Sequence, residues 1–71
     1  RNDMNRVTIQ TTAVKVGDML FSSAVAGRIT RFDAYPKFGE ICPGRTARIA
    51  RLDNGRDMTL IDGSTCEVVA A

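Results

Sequence analysis

The chain has 71 residues, 44% of them apolar, and ten Lys and Arg against eight Asp and Glu give a net charge of +2. This suits one small domain, near the lower limit of what buries a core unaided and too apolar for a disordered tail. No apolar run approaches the ~20 residues of a membrane helix, and the polar stretch Arg1 to Arg6 is unlike a signal peptide. The expectation is a cytoplasmic protein with no membrane association, its domain spanning residues 4–71 behind a short non-native or disordered tail, Arg1-Asn2-Asp3.

Turn residues fall at Gly17-Asp18, Gly27, Tyr35-Pro36, Pro43-Gly44, Asn54-Gly55 and Asp62-Gly63, with short β-branched segments between them. That spacing is the signature of a small sandwich or barrel and predicts an all-β fold, a small barrel or barrel-like sheet of five or six antiparallel strands. Strands are expected at about 6–11, 18–23, 27–34, 45–52, 57–62 and 65–69. At the second, Gly17 permits a tight bend and Asp18 can accept hydrogen bonds from nearby amides. Gly27 suits a bulge or sharp bend where the third strand turns a barrel corner.

The segment 33–44 is read as the longest loop. After it, Arg45, Arg48 and Arg51 recur at three-residue spacing, which leaves a two-turn helix open, but a strand is preferred because 57–61 needs a partner. The Arg45–Ile61 hairpin turns at Asn54-Gly55, two residues that accept positive φ. A two-residue loop would pair Ile49 with Leu60. A five-residue loop would pair Leu52 with Met58, Ala50 with Leu60 and Arg48 with Asp62. The second register is preferred, since it aligns an apolar stripe and neutralises Arg48. The expected core is Val7, Ile9, Val16, Leu20, Ile29, Ile49, Leu52, Leu60 and Val68.

Charge is uneven along the chain: residues 23–56 carry a net +4 and residues 57–71 a net −3. The two regions can pair across a sheet or leave one basic face for an anionic partner. Arg28, Arg31, Arg48 and Arg51 are candidate phosphate-contacting residues of a nucleic-acid face. Tyr35, Pro36, Phe38 and Ile41 are candidate protein-binding residues, because aromatic anchors beside prolines make efficient contact surfaces. In so small a domain the same side chains can instead fold inward and cap the barrel, and self-association satisfies both roles.

Cys42 and Cys66 are read as free thiols rather than a disulfide, and without histidine they cannot complete an ordinary zinc site or form a Cys–His pair. Carboxylates stand singly at turns, with no phosphate loop and no nucleophile elbow. The chain therefore reads as no enzyme, with no cofactor, no metal and no small-molecule substrate.

Two resemblances add to this. Val14-Lys15-Val16-Gly17-Asp18-Met19-Leu20, then Gly27-Arg28-Ile29-Thr30-Arg31-Phe32 and a late hairpin, resemble small SH3-like barrels, often met as short accessory proteins of actinobacteria and their phages. The resemblance implies a small SH3-like barrel that serves as a binding module, such as a phage- or plasmid-type accessory protein that engages a protein partner. Gly27 to Tyr35 is also similar to the first signature of the Sm-like RNA-binding fold, and Leu60-Ile61-Asp62-Gly63 with Val68-Val69 to its second. Lys37 departs from that pattern, standing where the family has a loop asparagine. The Sm-like resemblance implies nucleic-acid binding as the alternative, and a self-associating structural protein, a dimer or higher oligomer, is a third.

Overall fold

The computed structural model describes residues 5–69, so the expected start at Met4, and the tail before it, lie outside the described residues. The chain forms β1 (Arg6–Gln10), a 3-10 turn at Thr11–Ala13, β2 (Met19–Phe21), β3 (Ala26–Ala34), a one-turn helix α1 (Phe38–Ile41), β4 (Ala47–Leu52), β5 (Asp57–Ile61) and β6 (Thr65–Val69). All six strands lie in one antiparallel sheet of order β1-β6-β2-β3-β4-β5. The fold is all-β as expected, and within 45–52 the chain forms strand β4, Ala47–Leu52, rather than helix.

The six antiparallel strands form as expected, but the sheet does not close into a barrel. Among the described residues no ladder joins β1 to β5, the two outer strands of the sheet. They meet at one corner only, through the turn that follows β1. There the Thr11 amide donates to the Ser64 carbonyl at 3.0 Å and the Thr11 hydroxyl to the Ile61 carbonyl at 2.6 Å. Thr11 is buried by this double role, and both its polar groups are satisfied.

Period-two alternation decides which side chains enter the core. Leu20, Ile29, Ala50, Leu52, Leu60, Cys66 and Val68 point inward from five strands, and Val14 joins them from the segment before β2. Ile9, Val25, Phe32 and Met58 pack half-buried around this cluster. Full burial of an aliphatic side chain such as Leu20, Ile29 or Leu60 contributes about 1.5–3 kcal/mol.

Three expected core residues are corrected. Val16 is 57% exposed because it sits in the turn that Gly17 completes at φ +98°, not in a strand. Val7 is 43% exposed: it lies opposite buried Val68 but on the outermost strand, where nothing covers its far side. Ile49 is half-buried on the outer face, since inward Ala50 and Leu52 fix the opposite parity for β4.

Neither expected hairpin register forms. Ala50 pairs with Met58, Arg48 with Leu60 and Ala47 with Ile61. The Leu52 amide donates to the Arg56 carbonyl at 2.8 Å and the Gly55 amide to the Leu52 carbonyl at 3.2 Å, which makes a three-residue loop. Within this loop Gly55 alone takes a positive φ, +85°, and no described non-glycine residue does. Asn54 therefore stays in ordinary space, and the turn is a type I turn closed by a glycine bulge. Its side chain bonds outward instead: Nδ2 donates to the Ala26 carbonyl at 2.7 Å and Oδ1 accepts from the Arg56 amide at 3.0 Å.

Gly27 has a different reason to be glycine from the bend expected of it. The irregularity in β3 falls between Ile29 and Arg31. At Gly27 the backbone runs close under the hairpin turn, where a Cβ would stand 3.1 Å from Leu52 Cβ and 3.1 Å from Asn54 Nδ2. The Asp18 expectation holds, as its carboxylate accepts from the Lys15 amide at 2.9 Å. The strand it opens is β2, only three residues long; the long strand is β3, with nine.

Candidate contact surface and the arginine set

The segment expected as a loop contains a built element. Pro36 presets the turn by which the Phe38 amide reaches the Tyr35 carbonyl at 3.1 Å, and the Cys42 amide then reaches the Phe38 carbonyl at 2.8 Å to close α1. Gly44 exits at φ +84°. The four candidate residues separate into different roles. Phe38 is 6% exposed, yet it stands apart from the main core cluster. Tyr35 packs edge-on against it, ring centroids 5.2 Å apart, and is itself half-buried. Pro36 is exposed, and Ile41 is 62% exposed, more than Val7 or Val16. Phe38 is thus an inward anchor for the segment, while Tyr35, Pro36 and Ile41 supply its accessible apolar surface.

The four candidate phosphate-contacting arginines do not form one free face. The Arg28 guanidinium donates to the Gly17 carbonyl at 2.7 Å. Arg31 and Arg51 converge on Asp33, at 3.2 and 2.7 Å, and Arg51 also reaches Asp57 at 2.8 Å. The register explains this cluster. Arg31, Arg51 and Asp57 are direct neighbours across β3, β4 and β5, and Asp33 lies two residues along the same outer face. The bond from Arg51, then that from Arg31, holds the Asp33 carboxyl below the usual carboxylate range, and Asp33 in turn raises the Arg51 guanidinium.

Arg48 goes the other way. It shares the inward parity of Ala50 and Leu52, and in the observed register Leu60, not Asp62, stands opposite it. Its guanidinium lies 3.8 Å from the Phe32 ring centroid and donates to the carbonyls of Thr11 and Val14, both at 2.9 Å. A charge in that position is tolerable because its donors meet oxygens at the open corner between β1 and β5. Asp62 instead accepts from the Thr46 hydroxyl, and Arg45 donates to the Asp62 carbonyl at 3.1 Å. The sequence signal for Arg48 was its alternation with Ala50 and Leu52, which a search for charge partners overlooks.

Both cysteines are free. Cys66 lies in the core, and burial first, with the charge of Asp18 second, pushes its thiol above the ordinary range. Cys42 is half-buried at the end of α1. Among the described residues no three His, Cys, Asp or Glu side chains gather where they could hold a metal ion, and no helix is long and apolar enough to cross a membrane. Comparison of the chain with protein-family models, with curated proteins and with solved structures gave no match.

Proposed function

We propose that this chain is a non-enzymatic binding module of the small SH3-like kind, and that it engages a protein partner through Tyr35, Pro36 and Ile41. One observation carries the reading: a large aliphatic side chain, Ile41, stands 62% exposed on a segment whose other end is pinned by buried Phe38. A pre-ordered apolar projection loses little entropy on docking, which favours contact at this point over the exposed charges around it. The sheet order supports the barrel-like reading, since β1 lies beside the last strand, β6, and β2 to β5 run as a meander. The internal engagement of Arg28, Arg31, Arg48 and Arg51 weighs against nucleic acid as the principal ligand.

The test is capture from a native lysate with wild-type chain and with an Ile41→Asp, Tyr35→Ser double variant as bait, each with and without nuclease. The reading expects a protein retained by wild type, unaffected by nuclease and lost with the variant while its circular dichroism is unchanged. A catch that disappears on nuclease treatment would favour the nucleic-acid alternative.

A further inference from the structure

The outer strand β1 carries a row of backbone groups whose direction follows from the ladder. The Thr11 amide bonds to Ser64 of the neighbouring β6 side, in continuation of the register Gln10 with Thr65. Backbone groups alternate along a strand, so Val7 and Ile9 also face β6, while the N–H and C=O groups of Arg6 and Thr8 and the N–H of Gln10 face away from it; the Gln10 carbonyl opens the Thr11–Ala13 turn. Among the described residues no strand receives them. Of the usual protections of such an edge, Arg6–Gln10 carries one charge, Arg6 at its start, and neither proline nor lysine nor an inward-pointing charge. Val7, on the core side of this edge, is left 43% exposed.

The opposite edge is less available. The same parity argument, from the Asp62 amide bonded to the Thr46 carbonyl, points the backbone groups of Asp57, Thr59 and Ile61 away from β4. The Ile61 carbonyl already accepts from Thr11, and the Thr11–Ala13 turn packs against that end of β5.

We propose that β1 is the interface for a second copy of this chain, pairing antiparallel with its counterpart about a two-fold axis through Thr8. Two-fold antiparallel pairing that keeps both core faces on one side requires opposed residues of equal parity. Placing Thr8 opposite Thr8 sets Arg6 opposite Gln10 of the second copy, and every outward-facing residue then meets another. Thr8 exchanges both its bonds with its counterpart and each Arg6 carbonyl meets a Gln10 amide, whereas a shift of two residues either way leaves one residue of each strand without a partner. The same register sets Val7 opposite Ile9 of the second copy on the core side and opposes no like charges. A contact this small belongs to the weak class, with a Kd on the order of micromolar or above.

Sedimentation velocity over a concentration series up to several hundred micromolar tests the proposal, with wild type, Thr8→Pro, Thr8→Lys and Thr59→Pro compared. Proline at Thr8 removes an outward N–H and spares the β6 ladder; lysine at Thr8, an exposed site, places two like charges at the axis and keeps the test valid should the proline variant fail to fold. A monomer–dimer equilibrium in wild type and Thr59→Pro, weakened at least about tenfold by either Thr8 substitution, is the expected result. The Ile41→Asp, Tyr35→Ser variant should dimerise like wild type, which separates this edge from the proposed partner surface. Wild type that stays monomeric throughout, or a dimer that survives both Thr8 substitutions, overturns the assignment. An extended segment of another protein adding to β1 would give the first of these outcomes.

Discussion

Arg48 keeps the inward parity of Ala50 and Leu52 in both the expected and the observed register, and the shift of two changes only its partner. The expected pairing with Asp62, as a solvated ion pair, would be worth about 0–1 kcal/mol. Opposite Leu60 instead, Arg48 lies over Phe32 and donates to two carbonyls. Arg48→Ala removes two charge-assisted bonds and leaves the Val14 carbonyl without its donor, so it should destabilise the fold by about 2–4 kcal/mol in urea denaturation. A loss below about 0.5 kcal/mol would assign Arg48 to the solvated surface after all. Asp33 makes a pH prediction of defined sign. Its carboxyl is depressed below the ordinary value of 3.8 by Arg51 and then Arg31. The stability it contributes is therefore present above that value and is lost as pH falls through the lower, folded one. Nuclear magnetic resonance titration should show this carboxyl ionised below the unperturbed midpoint, and Asp33→Asn should remove that part of the acid dependence. Cys66 behaves oppositely: its raised thiol favours the neutral form, so its contribution is intact below 9.0 and fades as pH rises beyond it. In a thiol-labelling assay at neutral pH, half-exposed Cys42 should react first and buried Cys66 only as the fold opens.

Among the elements, the hairpin and β3 show what alternation and turn chemistry can and cannot settle. Six strands at the expected places were legible, because punctuating glycines and prolines bracket β-branched runs. Asn54-Gly55 located the turn but not its length, since that dipeptide serves a two-residue turn with both φ positive as well as a type I turn with only Gly55 positive. The choice depends on where β3 runs: Asn54 is fixed to Ala26 and Asp53 to the Arg28 amide, contacts between residues 25 or more positions apart. Val7 and Val16 were misplaced for a related reason. Composition marks them apolar, but which strand is outermost and where a turn ends are decided by topology. Gly27→Ala gives this account an element-level test. With 3.1 Å to Leu52 Cβ and to Asn54 Nδ2, the methyl group must push β3 and the hairpin apart, at roughly 1–3 kcal/mol in thermal or chemical unfolding. An unchanged midpoint would show that the two elements are not in close contact.

For the whole molecule, the open sheet and its two edges are the features no local pattern revealed. A barrel or barrel-like sheet was expected from turn spacing and alternation, and the Thr11–Ala13 turn and Arg48 finish the corner where a β1–β5 ladder would close it. The proposed contact surface was legible in part. Tyr35, Pro36 and Ile41 were recognisable as apolar residues outside strand alternation, but that Phe38 turns inward as their anchor required the three-dimensional path of α1. Site-specific photo-crosslinking in the source cells tests the central claim most directly, with a photoreactive residue placed at Ile41 and, in a control, at Arg28. Protein engagement through α1 predicts a protein adduct at position 41 and none at position 28. Absence of any adduct at 41, or an adduct at 28 that nuclease removes, would contradict it.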